Sequence, residues 1–161
     1  MPQAVNPIPE GFHTVTPQLV CRNAMQALEF YKNALGAEIG NVAKDDRGNV
    51  MHAELRIGDS IVMLSDEFPA YHSLSPLSLG GTAVSLHIYT ADADAAFEKA
   101  VAAGAKVTMP IMDAFWGDRY GQVVDPYGHK WAIATRKRVP TDEEIRAAVK
   151  AFSDKEKSAR A

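Results

Sequence analysis

The stretch DAFWGDRYGQVVDPYGHKWAIATR, Asp113 to Arg136, decides how the rest of the chain is read. It reads as three strands in a row. At its centre the turn DPYG, Asp125 to Gly128, places a proline second, where its fixed φ suits the bend. A glycine stands last, where a positive φ or a close approach is easy. Beyond the turn, His129 to Arg136 alternates large and small residues, as a half-buried strand does. Before it, Phe115, Trp116, Arg119 and Tyr120 crowd around Gly117 and Gly121, bulky aromatic and charged groups over a thin backbone. Such a cluster either lines a pocket or forms a satellite core with a surface ion pair between Asp118 and Arg119.

Working outward, the same order of elements is found twice. Thr16 to Arg22 reads as a strand, and Asn23 with Gln26 three residues on forms a helix N-cap with a capping-box-like partner. The helix runs to about Leu35 and stops at Gly36, a left-handed C-terminal residue. Its Leu28, Tyr31 and Leu35 are spaced for one buried face. Ala37 to Lys44 is a strand, Asp46 to Gly48 a turn, and Val50 to Ile57 alternates strictly. One face of that strand carries Ala53, Leu55 and Ile57, the other His52, Glu54 and Arg56. Gly58 and Asp59 turn into a strand from Ser60 to Ser65. After a connector with Pro69, Pro76, Gly80 and Gly81, Ala83 to Tyr89 is again a strand and Asp92 to Ala103 again a helix, closed by Gly104. Gly36 and Gly104 lie 68 residues apart, Gly58 and Gly128 lie 70 apart. Two landmarks at nearly equal offset imply an internal repeat, a βαβββ unit used twice in an α+β fold.

The expected organisation is an N-terminal arm over 1–15, a first βαβββ module over 16–66, a linker over 67–81, a second βαβββ module over 82–137, and a C-terminal helix and tail over 138–161, all in a single structural domain. The arm carries Pro2, Pro7 and Pro9, which argue for an extended segment. In the tail, Pro140, Thr141 and Glu144 form a proline entry and a capping box. Ile145, Ala148, Val149 and Phe152 make a narrow apolar stripe, and the charged end DKEKSAR is expected to fray. A helix this short is marginal alone, so it docks on its own subunit or on a partner.

Composition excludes several classes of function. A net charge of −3 and a pI near 5.9 leave no basic stripe for nucleic acid. No apolar run reaches the length that spans a bilayer, and no basic and apolar leader opens the chain. The single cysteine, Cys21, rules out an internal disulfide and fits a reducing compartment. A cytoplasmic protein is expected. Cys21 has the parity of the helix-packed face, which marks a buried thiol and not a nucleophile. GxSxG, P-loop and GxGxxG patterns are absent, and Gly80-Gly81 alone is a turn signal.

A strand, then DP-x-G, then a strand opening on HKWAI resembles the end of a vicinal oxygen chelate module, the superfamily of glyoxalase I, bleomycin-resistance proteins and extradiol dioxygenases. The fuller string FWGDRYGQVVDPYGHKWAIAT, with VTPQL near the start and VMHAELRIGDSIVMLSDE in the middle, is similar to its PhnB-like branch. The similarity covers roughly Gly11 to Thr135. It implies two curved mixed sheets around a cleft, the glyoxalase/bleomycin-resistance fold, and a homodimer. Some PhnB-like sequences carry a methyltransferase label, but no glycine-rich cofactor loop is present to support it.

Metal-dependent members take four ligands, His or Gln, Glu, His and Glu, from the first and last strands of each half. Carried across by strand and turn, those positions are Thr16, Met63, Ser85 and Ala132, none of them an imidazole or carboxylate. The neighbours Val62, Leu64, Trp131 and Ile133 are equally inert. The resemblance therefore implies a fold whose metal site is absent, and no cofactor is expected. By strand parity Gln18, Val20, Ser65, His87, Tyr89 and Ala134 share the face of these four. His87 stands out, because an imidazole in a half-apolar cavity binds an anion or moves a proton. His52 and Glu54 share that cavity or face water at an open cleft. His13, His72 and His129, in an arm, a linker and a turn, are given no role.

The residues expected to touch a ligand are thus Gln18, His52, Glu54, Met63, His87, Trp116, Arg119 and Tyr120. Three functions compete. The first is a dimeric, metal-free protein that binds a small molecule in an apolar cleft with a few polar groups. The second is a lyase or isomerase that uses His87, Glu54 or His52 in acid-base chemistry, or holds a metal in that unusual set. The third is a structural or regulatory module whose cleft the C-terminal helix occludes.

Overall fold

The computed structural model describes residues 5–159; residues 1–4, with Pro2, and residues 160–161, with Arg160, lie outside the described residues. The chain forms β1 (Gln18–Cys21), α1 (Ala24–Leu35), β2 (Glu38–Lys44), β3 (Val50–Ile57) and β4 (Ser60–Asp66). A connector with a 3-10 turn (Pro69–Tyr71) and the short α2 (Pro76–Leu79) leads to β5 (Ser85–Tyr89), α3 (Ala93–Ala102), β6 (Lys106–Asp113), β7 (Asp118–Val124) and β8 (Lys130–Arg136). The last element is α4 (Asp142–Ala159). Two mixed sheets result, in the orders β1-β4-β3-β2 and β5-β8-β7-β6, each with one parallel pair at the edge strand that opens its half.

The repeat is finer than its glycine landmarks suggest. Gln18 pairs with Met63 and His87 with Ala132, so each position of the first pair recurs 69 residues on. The helix starts repeat too. The Ala24 N–H donates to Asp66 at 2.7 Å and the Ala93 N–H to the Thr135 hydroxyl at 2.8 Å. In each half, the end of the last strand satisfies an amide that the first helical turn leaves unpaired.

Caps follow the sequence closely. Asn23 accepts from the Gln26 N–H at 3.1 Å and Asp92 from the Ala95 N–H at 3.0 Å. Gly36 closes α1 at φ 65°. In α3 the closing residue is Ala103, still right-handed, and Gly104 follows it at φ 118°. The opening stretch differs from its reading as three strands. Asp113 ends β6 and residues 114–117 form a turn, so only β7 and β8 run within it.

The core explains the alternation. Leu19, Cys21, Leu55, Leu64, Val123, Trp131 and Ile133 are buried together with Leu28, Tyr31, Phe97 and Ala100 of α1 and α3. One apolar core therefore lies between the helix-bearing faces of both sheets. A buried carboxylate ties the halves within it. Asp125 of the DPYG turn accepts from the Tyr31 hydroxyl at 2.6 Å, Trp131 Nε1 at 2.8 Å, and the Tyr127 and His129 amides at 2.9 and 3.0 Å. His129, expected to idle in a turn, is buried, with Nε2 at 3.0 Å from the Val20 carbonyl and 3.8 Å from Cys21 Sγ. The turn thus serves as the joint between the halves.

The tail's capping box is present, with the Thr141 amide 2.7 Å from Glu144 Oε2 and the Glu144 amide 3.2 Å from the Thr141 hydroxyl. The helix continues through DKEKSA to Ala159, further than its charge suggested. No α4 residue is buried, and Val149 and Phe152 stand exposed.

Candidate functional site

Because the core takes the helix-bearing face of each sheet, the other face of each is left for function. On the first sheet the register aligns Gln18, Met63 and Glu54 in one row across β1, β4 and β3. His52, one pleat further along β3, hydrogen-bonds Glu54 through Nε2 at 3.2 Å. Both remain partly open to solvent.

On the second sheet the corresponding face is aromatic. His87 lies 4.6 Å from the Tyr89 ring and 5.7 Å from Tyr120, centroid to centroid, and Tyr120 packs edge-on to Trp116 at 5.0 Å. Phe115 meets Trp116 edge-on at 5.1 Å. Beneath them is Asp118, 3% exposed. Its Oδ2 accepts from both Trp116 Nε1 and the Tyr89 hydroxyl at 3.0 Å. The bond to Asp118 holds the Tyr89 phenol above its ordinary pKa, since ionisation would set two negative oxygens side by side. A hollow bordered by Tyr89, Thr90, Trp116, Asp118, Thr135 and Arg136 opens beside this wall.

The expected ligand residues therefore fall into two sets within one chain. Gln18, His52, Glu54 and Met63 share the first sheet; His87, Trp116 and Tyr120 share the second. Arg119 joins neither. Adjacent strand residues point to opposite faces, and Arg119 is turned to the helix side. There it binds Asp94 of α3 in bidentate fashion, at 2.8 and 3.0 Å, with Asp113 at 3.5 Å. The guanidinium holds the Asp94 carboxyl below its usual range. Of the two readings of this cluster, the one with an Asp118–Arg119 ion pair is not found, since Arg119 makes these contacts instead. The two glycines are also explained separately. A Cβ on Gly117 would strike the Arg138 carbonyl oxygen, and one on Gly121 would lie 2.7 Å from the Phe97 ring.

Sequence reasoning missed Asp118 as a member of the aromatic site, although its parity with Tyr120 on β7 was a readable signal. The Asp94 partner of Arg119 had no such signal, being 25 residues away.

With this geometry in view, the comparisons with known proteins are informative. The family model described as Glyoxalase/Bleomycin resistance protein/Dioxygenase superfamily matches residues 11–133. The chain belongs to this superfamily. It is 42% identical over 144 residues to the uncharacterized protein Mb0911c of Mycobacterium bovis, covering 87% of this chain and 94% of that one. The crystal structure of TioX from Micromonospora sp. ML1 aligns with TM-score 0.62 at 26% identity, over 77% of this chain and 98% of that one. A PhnB protein from Bacillus cereus, described as a putative 3-demethylubiquinone-9 3-methyltransferase, shares the fold with TM-score 0.60 at 22% identity, over 76% and 99% of the two chains.

The superfamily's metal chemistry does not fit the donors present. Thr16 lies just before β1, Ser85 opens β5, and Met63 and Ala132 are thioether and methyl groups. The residues paired with Met63 and Ala132 are Gln18 and His87, not Thr16 and Ser85, so these four places hold one amide and one imidazole and no carboxylate. Among the described residues no three His, Cys, Asp or Glu side chains come together in a way that would hold a metal ion, so the set His52, Glu54 and His87 is not assembled within one chain. Cys21 adds no nucleophile. Burial, with Asp125 beside it, pushes its thiol up to about 12. No helix among the described residues is long and apolar enough to cross a membrane.

Proposed function

We propose that this chain binds a small organic molecule, without a divalent metal, on the helix-free face of its second sheet. The observation that carries this reading is the aromatic wall around a buried carboxylate. His87, Tyr89, Tyr120 and Trp116 pack ring to ring over Asp118, while Tyr89 stays 63% and Trp116 36% exposed. Rings held in place by a buried hydrogen-bond acceptor yet left open to solvent are pre-ordered for a flat or apolar ligand. The helix-free faces of both sheets lie away from the core shared within one chain, so a second copy is the natural cover for them, and we take the functional species to be a homodimer.

The test is a binding screen read by tryptophan fluorescence and calorimetry. For a ligand that binds at a single site, His87→Ala and Trp116→Ala each weaken binding about tenfold. Ring stacking contributes about 0.5 to 1.5 kcal/mol, and a hydrogen bond to a charged group about 1.5 to 3. Lys44→Ala, on the first sheet, leaves it unchanged. Affinity unaltered in both variants would place the ligand elsewhere. A lyase or isomerase reading draws on one specific feature, the hydrogen-bonded His52–Glu54 pair, and predicts turnover that His52→Gln abolishes.

A further inference from the structure

We propose a second binding site, adjoining the first at His87 and Tyr89, in the gap between the two halves, and that its ligand is a monoanionic amphiphile such as a medium-chain carboxylate. A cavity of about 670 Å³ lies between the β3–β4 turn, the open edge of β5 and the helices α1 and α3. Its walls include Leu35, Ile57, Val62, Leu86, Ile88 and Ile133. These are side chains of the core-facing parity, so the body of the cavity lies in the apolar layer, and it meets the aromatic wall of the second sheet only at His87 and Tyr89. Trp116, Asp118 and Tyr120 do not border it. Protein interiors are packed near crystal density, and small-molecule sites span about 300 to 1,000 Å³. A gap of this size lined by aliphatic groups matches an aliphatic ligand in both volume and polarity.

The charges select the head group. Lys99 of α3 borders the cavity, with Nζ close to Gly36 at the C-terminal end of α1. It forms no ion pair among the described residues. Asp59, on the β3–β4 turn, also borders the cavity and accepts from the Ser60 hydroxyl at 2.9 Å. An unpaired ammonium on one side attracts one anionic group, while the carboxylate on another element disfavours a second. His13 of the N-terminal arm completes the polar rim. A single anionic head on a long apolar body pairs with Lys99 and sets only one negative charge against Asp59.

The experiment uses dodecanoate below its micellar concentration, with dodecanol as the uncharged counterpart, titrated into the whole protein by calorimetry. Trp131 lines the cavity and supplies a fluorescence signal. Expected is saturable binding of one dodecanoate per chain, weakened about tenfold by Lys99→Met, which keeps the apolar stem. Dodecanol binding is indifferent to that substitution. Ala96→Leu narrows the cavity and weakens both ligands, with a melting curve to verify that the variant is folded. Trp116→Ala leaves dodecanoate binding intact. The proposal is overturned by the absence of saturable binding, by dodecanoate affinity unchanged in Lys99→Met, or by loss of binding in Trp116→Ala. Loss in Trp116→Ala would assign the fatty acid to the aromatic face and leave the reading of that face standing.

Discussion

At the scale of single residues, position in the pleat decided role more than residue type did. His87 and His129 are both histidines on or beside strands of the second half, yet one is exposed among aromatic rings and the other is locked under the Val20 carbonyl. Parity was legible for His87 because β5 alternates. It was illegible for His129 because its partners lie more than a hundred residues earlier. Cys21 shows the energetic side of burial. Its thiol rises from an ordinary 9.0 to about 12, burial first and Asp125 second. A raised pKa in the folded state means the neutral form is favoured there, so this contribution is intact below pH 9 and is lost as pH climbs from 9 toward 12. Each pH unit above 9 removes about 1.4 kcal/mol, and the Tyr31 phenol, also raised by burial, acts in the same direction. Thermal midpoints of the wild type are expected to fall between about pH 8 and about pH 10.5. In Cys21→Ala the fall is smaller by the equivalent of about 2 kcal/mol; an equal fall in both proteins would show that the thiol is not involved.

At the scale of elements, local chemistry is legible in a short window of sequence, and the surface on which a helix docks is not. Caps at Asn23, Asp92 and Thr141 follow from side chains that reach amides three residues on, so they are visible in a short window. Where a helix packs depends on surfaces far away in sequence, and α4 is the clear instance. Expected to dock on its own subunit or on a partner, it carries no buried residue within this chain and leaves Phe152 61% exposed. It departs from the body over Gly117, whose carbonyl accepts from the Lys137 and Arg138 amides at 2.9 and 3.1 Å. Removing residues 141–161 is therefore expected to lower the thermal midpoint of a monomeric sample by less than about 3 °C, since surface segments contribute little to global stability. A drop of about 10 °C or more would mean that α4 is packed against the fold or against a second copy.

At the scale of the whole molecule, the joint between the halves sits in one buried carboxylate. Asp125 collects four donors, of which the Tyr31 hydroxyl comes from the other half, and the Tyr31 and Trp131 side chains lie in the common core. Tyr31→Phe leaves the other three donors in place and is expected to cost about 1 to 3 kcal/mol in urea denaturation, with a single transition retained. Two separate transitions in the wild type would show that the halves fold independently and that this joint is minor.

The sequence by itself determined the duplicated βαβββ pattern, most strand and helix limits, the glycine-closed ends and the membership implied by the DPYG-containing stretch. Each of these rests on periodicity or turn chemistry, which acts over a few residues and leaves its mark in order. Tertiary structure alone decided that Arg119 turns from Tyr120 to Asp94, that the ligand candidates divide between two sheets, and that the DPYG turn closes on Tyr31. Those outcomes depend on which faces are buried against each other. Burial is settled by contacts between distant segments whose free energy has no local signature in the chain.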